Sequence, residues 1–241
     1  MTTLGHSPIV TAHSPTRGAE AGPGVDGKFL AIGSQRFLLK GVAYGTFAPN
    51  GGVDQFPPPD QMRRDFAAMA IAGMNTVRTY TEPSTTLLDL AAEHGLRVMA
   101  GVAWPQHLPF LDTPRVGRQI RRDVASATAR LAAHPSTLMV AVGNEIPASI
   151  VRWHGPGRIG RFLREMYRDA KSAAPASLLT YVNYPPTEYL DLSCFDICAF
   201  NVYLHGEQDL SAYLARLQHV AGDKPLLLAE CGSDSIREGN E

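Results

Sequence analysis

Glu145 and Glu230 each close a short apolar run, in VAVGNE and PLLLAE, where a buried strand would hand over to a loop. A carboxylate is disfavoured at such a place unless something needs it there. Two of them, brought together, can divide the work of breaking a glycosidic bond. One, kept protonated, donates to the leaving oxygen, while the other, ionised, attacks or stabilises the anomeric carbon. The plainer alternative is that both are surface acids at strand ends with no shared task.

The elements between them supply the reason for them to meet. KFLAI and RFLLKGVAY flank Gly33-Ser34-Gln35 and read as a hairpin whose second arm runs on into a first barrel strand. A helix is expected from about Asp60 to Ala72, with Met62, Phe66 and Met69 on one face, followed by the strand MNTVRTY. Leu87 to His94 is the next helix and LRVMAGVAW the third strand. Val116, Ile120, Val124 and Leu131 stripe a long helix ahead of LMVAVGNE. Ile159, Phe162, Leu163 and Met166 mark another before SLLTYVN. A Pro-containing connection leads to a sixth strand, Phe195 to Tyr203. Leu210, Tyr213, Leu214 and Leu217 give an amphipathic helix before PLLLAE, the seventh. This alternation predicts an α/β chain: a TIM (β/α)8-type barrel that lacks its eighth βα unit and carries an N-terminal β-hairpin. Loops at the strand C-termini share one face of such a barrel, so Glu145 and Glu230 converge there. The free edges of the first and seventh strands call for a cover, and a partner segment or domain that completes the barrel is one expectation.

Composition narrows the classes. The chain has 241 residues, 44% hydrophobic and 19% charged, enough for one substantial core. A formal charge of −1 gives no global pull toward nucleic acid or an anionic membrane, so a neutral substrate fits best. No run approaches the ~20 apolar residues of a membrane span. Residues 1–24 lack the apolar core of a secretory leader and read as a flexible tail, leaving 25–241 as the barrel domain. Cys194, Cys198 and Cys231 are too few and too clustered for a disulfide framework; a reduced, cytoplasmic compartment is expected, with core packing rather than metal binding for Cys194 and Cys198. Neither cofactor nor metal is called for.

NTVRTY, VGNE, FNVY and LLLAECG, in this order, resemble the strand ends of glycoside hydrolase clan A over roughly residues 27–235. The family-two catalytic barrels are the nearest in style, with family-seventeen features, and similar modules occur beside polysaccharide-synthesising glycosyltransferases. The resemblance implies a retaining mechanism, with Glu145 as general acid/base, Glu230 as nucleophile and Asn144 holding the substrate 2-hydroxyl. Retention requires the carboxyl groups to lie roughly 5 to 5.5 Å apart. Arg78 resembles the clan's arginine that keeps the nucleophile ionised, and Tyr203 its tyrosine that hydrogen-bonds the same carboxylate. Asn201, two residues before Tyr203, joins the binding set. The clan's aromatic residue after strand eight has no counterpart here.

Trp104, His107 and Trp153 follow the third and fourth strands, where aromatic faces can stack on a sugar and an imidazole can bond a hydroxyl. Loop packing is the alternative for each. Tyr80, Asn183 and His205 are weaker candidates. The expected function is a β-glycoside hydrolase or transglycosylase acting on a glucan-like polysaccharide or oligosaccharide. The alternatives are a noncatalytic carbohydrate-binding or regulatory module of a polysaccharide-synthesis protein, and a metal-assisted hydrolase using Glu145, His107, His205 and Glu230, which lacks the usual closely spaced His pair.

Overall fold

The computed structural model describes residues 22–47 and 55–232. Three short strands, β1 (Pro23–Asp26), β2 (Phe29–Ile32) and β3 (Gln35–Phe37), form an antiparallel sheet. Its two tight turns contain Gly27 and Gly33, at φ of 56° and 61°, a conformation that costs glycine nothing. Residues 1–21 of the expected tail lie outside the described residues, and its last two, Pro23 and Gly24, belong to β1.

Seven parallel strands follow: β4 (Gly41–Ala43), β5 (Thr76–Arg78), β6 (Arg97–Gly101), β7 (Thr137–Asn144), β8 (Leu179–Asn183), β9 (Cys198–Val202) and β10 (Leu226–Cys231). They are hydrogen-bonded in strict chain order, which makes a barrel wall left open between β10 and β4. The hairpin arm and first barrel strand, expected as one run, are separate. β3 ends at Phe37, and Asn75 holds the chain as it crosses between sheets, donating to Leu38 O at 2.8 Å and accepting from Lys40 N at 2.8 Å.

Helices α1 (Pro59–Ile71), α2 (Thr85–Glu93), α3 (Pro114–Ala132), α4 (Ala148–His154), α5 (Pro156–Ala173) and α6 (Glu207–Ala221) connect the strands. Of the expected stripe of α3, Ile120, Val124 and Leu131 are buried while Val116, in its first turn, is exposed; that of α5, with Ile159, Phe162, Leu163 and Met166, is buried throughout. α4 has no counterpart in the sequence reading, and no α-helix joins β8 to β9, where a single 3-10 turn, Pro185–Thr187, serves instead.

Strand alternation sorts the core into layers. Val98, Ala100, Val140 and Val142 face the helices, while Met99, Met139, Ala141, Ala199 and Leu227 fill the interior together with Leu30 of β2. The N-terminal sheet therefore contributes a side chain to the barrel filling. The three cysteines are free, with Cys194 and Cys198 half-buried against the apolar clusters and Cys231 exposed. Among the described residues no helix is long and apolar enough to cross a membrane.

Candidate active site

Both glutamates reach the interior through irregularities in their strands. On β10, Leu227 and Ala229 pack toward the barrel filling, so simple alternation would turn Glu230 outward. The register with β9 slips between Leu228 and Glu230, placing one extra residue on β10 just before the carboxylate. A second slip, between Ala141 and Asn144, does the same on β7 just before Glu145. Bulges of this kind re-aim side chains next to functional sites. Glu145 itself has φ of 47°, alone among the described non-glycine residues in that left-handed region.

One amide nitrogen joins the two acids. Asn201 Nδ2 donates to Glu145 Oε1 at 2.7 Å and to Glu230 Oε1 at 2.8 Å, with a longer bond to Asn144 Oδ1 at 3.2 Å. The two carboxylate oxygens thus lie no farther apart than those two bonds laid end to end. Arg78 donates through Nη1 to Glu230 Oε1 at 2.5 Å and Ala229 O at 2.9 Å, and through Nη2 to Asn144 Oδ1 at 2.7 Å. Tyr203 donates from its hydroxyl to the other oxygen of Glu230 at 2.7 Å. Tyr80 completes the group, its ring lying against the Arg78 guanidinium with 4.7 Å from Cζ to the centroid.

The two acids sit in different surroundings. Burial pushes the Glu145 carboxyl above its ordinary range; the Asn201 hydrogen bond opposes this, and the negative charge of Glu230 adds to it. Glu230 instead sits in an ion pair whose side chains are 6% and 14% exposed. The Tyr203 hydroxyl is held well above the usual phenol range, first by its hydrogen bond to Glu230; for Tyr80 burial leads and the same carboxylate follows. Asn144 Oδ1 is engaged by Arg78 and Asn201, and its Nδ2 remains the half of the amide free of these bonds.

Arg78→Met is expected to destabilise the fold by about 3 kcal/mol, because it leaves a largely buried carboxylate without its cation. Urea unfolding measures this directly; a loss under about 0.5 kcal/mol, the scale of an ordinary surface change, would mean that the pair is a solvated surface contact.

Glu145, Glu230, Asn144, Arg78, Tyr203 and Asn201 are therefore in one hydrogen-bonded network, and three other candidates are not. Trp104 donates from its indole to Val142 O at 2.8 Å, with its ring against Phe110 and Phe162 in the layer between strands and helices. That position supports β7 from behind. Trp153 lies on α4, 69% exposed, with its indole bonded to Asp112, and makes no bond to the network. His107 is exposed in the loop after β6 and takes no part either. Asn183 is buried in a reciprocal pair with Thr187 that shapes the turn after β8. Among the described residues no three His, Cys, Asp or Glu side chains gather as metal ligands.

Sequence reasoning missed Gln106. It donates to Asn144 O and accepts from Asn144 N at 3.2 Å, gripping the peptides on both sides of that residue. Tyr181 was missed too; fully buried, it accepts from Ile146 N at 2.7 Å.

The barrel has clear relatives among solved structures. A β-glucuronidase from Bifidobacterium dentium, complexed with coumarin-3-O-glucuronide, superposes with a TM-score of 0.73 at 20% identity, covering 91% of this chain and 37% of that one. The Lactobacillus rhamnosus β-glucuronidase gives 0.74 at 18% identity, covering 91% and 40%. Bacteroides uniformis β-glucuronidase 2, covalently bound to a cyclophellitol-6-carboxylate aziridine, gives 0.73 at 18% identity, covering 89% and 27%. At these identities the likeness is one of fold, and the chain spans well under half the length of each. No curated protein sequence matches it significantly. The sequence pattern of the glycosyl hydrolases family 2 TIM barrel domain covers residues 24–240, and the chain belongs to that family.

Proposed function

We propose that this chain carries the catalytic centre of a retaining β-glycoside hydrolase or transglycosylase that acts on a glucan-like polysaccharide or oligosaccharide. The observation that carries the reading is the single Asn201 nitrogen bonded to both carboxylates. This spacing favours a nucleophile and an acid/base over the wider pair, roughly 6.5–9.5 Å, that leaves room for an attacking water. In the first step Glu145 gives its proton to the glycosidic oxygen as the carboxylate of Glu230 bonds to the anomeric carbon and the aglycone departs as an alcohol. In the second, Glu145, now ionised, takes a proton from water or a sugar hydroxyl, whose oxygen replaces Glu230 at the anomeric carbon. Arg78 and Tyr203 hold Glu230 in line, and Asn144, whose Oδ1 is taken by Arg78 and Asn201, would donate through Nδ2 to the 2-hydroxyl in a bond that tightens as charge develops on the ring. A neutral glucan agrees with the chain's near-zero net charge; the family-seventeen features read from the sequence belong to the same proposal.

A glucose-configured cyclophellitol aziridine tests the mechanism. It should add one equivalent of mass to the chain, on the Glu230 peptide. Labelling of another residue would remove the assignment. Tight glucan binding with no adduct and no turnover would favour the noncatalytic module, a reading the open barrel wall supports. That wall encloses a cleft of about 380 Å³ between β4 and β10, lined by Leu39, Val42, Leu227, Arg78 and Cys231 among others. A segment pairing with both free edges is the proposed partner that completes the barrel.

A further inference from the structure

We propose that Gln106 is a positioning residue that fixes the aim of Glu145 by clamping the Asn144–Glu145 peptide. The inference rests on the glycosidase reading of Glu145 for its kinetic consequence, but not for its geometry.

The argument starts from the backbone. A left-handed φ at a glutamate persists only where the surroundings determine it. The peptide that precedes Glu145 is held at both ends: its N–H donates to Val182 O on β8 at 2.9 Å, and its carbonyl, Asn144 O, accepts from Gln106 Nε2. The next peptide is held by Ile146 N donating to the buried hydroxyl of Tyr181 at 2.7 Å. With both flanking planes fixed, the φ and ψ of Glu145 have little freedom. Two of these three anchors lie on β8. Gln106 is the only one on a loop, and the only one that also holds the peptide before Asn144.

That loop is itself fastened. Gln106 N donates to Trp104 O at 2.7 Å, and Trp104 is pinned by its indole bond to Val142 O and by the rings of Phe110 and Phe162. Space behind the clamp is scarce, since a Cβ on Gly143 would lie 3.2 Å from both Trp104 and Tyr181. The chain of contacts thus runs from the aromatic layer through Trp104 and Gln106 to the peptide that carries Glu145. Without Gln106, the Asn144 carbonyl loses its partner and the Asn144–Glu145 peptide can rotate toward ordinary strand geometry. Glu145 then swings toward solvent and away from Asn201.

The test is Gln106→Met, which keeps the bulk of the side chain and removes both bonds. In the 241-residue chain labelled with ¹³C-glutamate, the Glu145 carboxyl resonance, assigned by its loss in Glu145→Gln, should titrate at lower pH in Gln106→Met than in the wild type. For an alkyl β-glucoside, kcat should fall roughly 100-fold with KM little changed, the signature of a misplaced acid. The high-pH limb of the rate profile should move down with the carboxyl titration. Gln106→Asn, which keeps the amide but cannot span both bonds, should shift both in the same direction by less, and it decides the matter if the Met variant does not fold. A folded variant with the wild-type titration overturns the proposal. If the wild type turns over no glycoside, the glycosidase reading fails alone, and the titration still decides whether Gln106 sets the carboxyl.

Discussion

Replacing Glu230 by Ala is expected to lower kcat by at least ~10⁴-fold and to leave a folded protein. The fold survives because Arg78 keeps Ala229 O and Asn144 Oδ1 as acceptors. Catalysis does not, because no other carboxylate in the network stands where a bond to the anomeric carbon can form. The space vacated beside Arg78 suits a small anion, so azide or formate should restore part of the turnover. Attack then occurs in a single displacement, and the azide product should have the opposite anomeric configuration. Circular dichroism and anomeric NMR check both halves. Unfolding of the variant would make Glu230 a structural acid, and activity above one per cent of wild type would remove it as nucleophile.

The site was legible in its members more than in its geometry. Buried strands read as continuous apolar runs, and amphipathic helices as 3.6-residue stripes, so LMVAVGNE, PLLLAE and the helix of Ile159, Phe162 and Leu163 stood out from the primary structure. Glu145 and Glu230 could be placed at strand ends but not oriented, since the bulges that turn them inward leave no mark on the apolar pattern. The short α4 was missed because seven residues behind Ile146-Pro147 are too few to show a period. The aromatic candidates divided for a related reason. Tyr203 directly follows a strand whose direction fixes its reach, whereas Trp104 and Trp153 depend on how a loop and a short helix fold back, which pattern does not encode. Gln106 sits in that same loop; its grip on Asn144, 38 residues away in sequence, is a purely tertiary fact.

Glu145→Gln should separate substrates by their leaving groups. Protonation of the departing oxygen matters in proportion to its basicity, so an alkyl glucoside should lose roughly 10²–10⁴-fold in kcat/KM while a dinitrophenyl glucoside loses far less. The same substitution should erase the high-pH limb expected of the wild-type profile, which should report loss of the Glu145 proton and lie above the ordinary carboxylate value of 4.5. Stability carries the matching signature. A carboxyl whose pKa is raised on folding binds its proton more tightly in the native state, so its contribution is complete below about 4.5 and declines as pH rises toward the folded value. Wild type should therefore lose stability relative to Glu145→Gln across that interval and run parallel to it on either side. Urea unfolding over a pH series measures the difference. Curves parallel throughout, or a wild type that gains on the variant as pH rises, would show that Glu145 is not held protonated by its burial and would leave the first step without its acid.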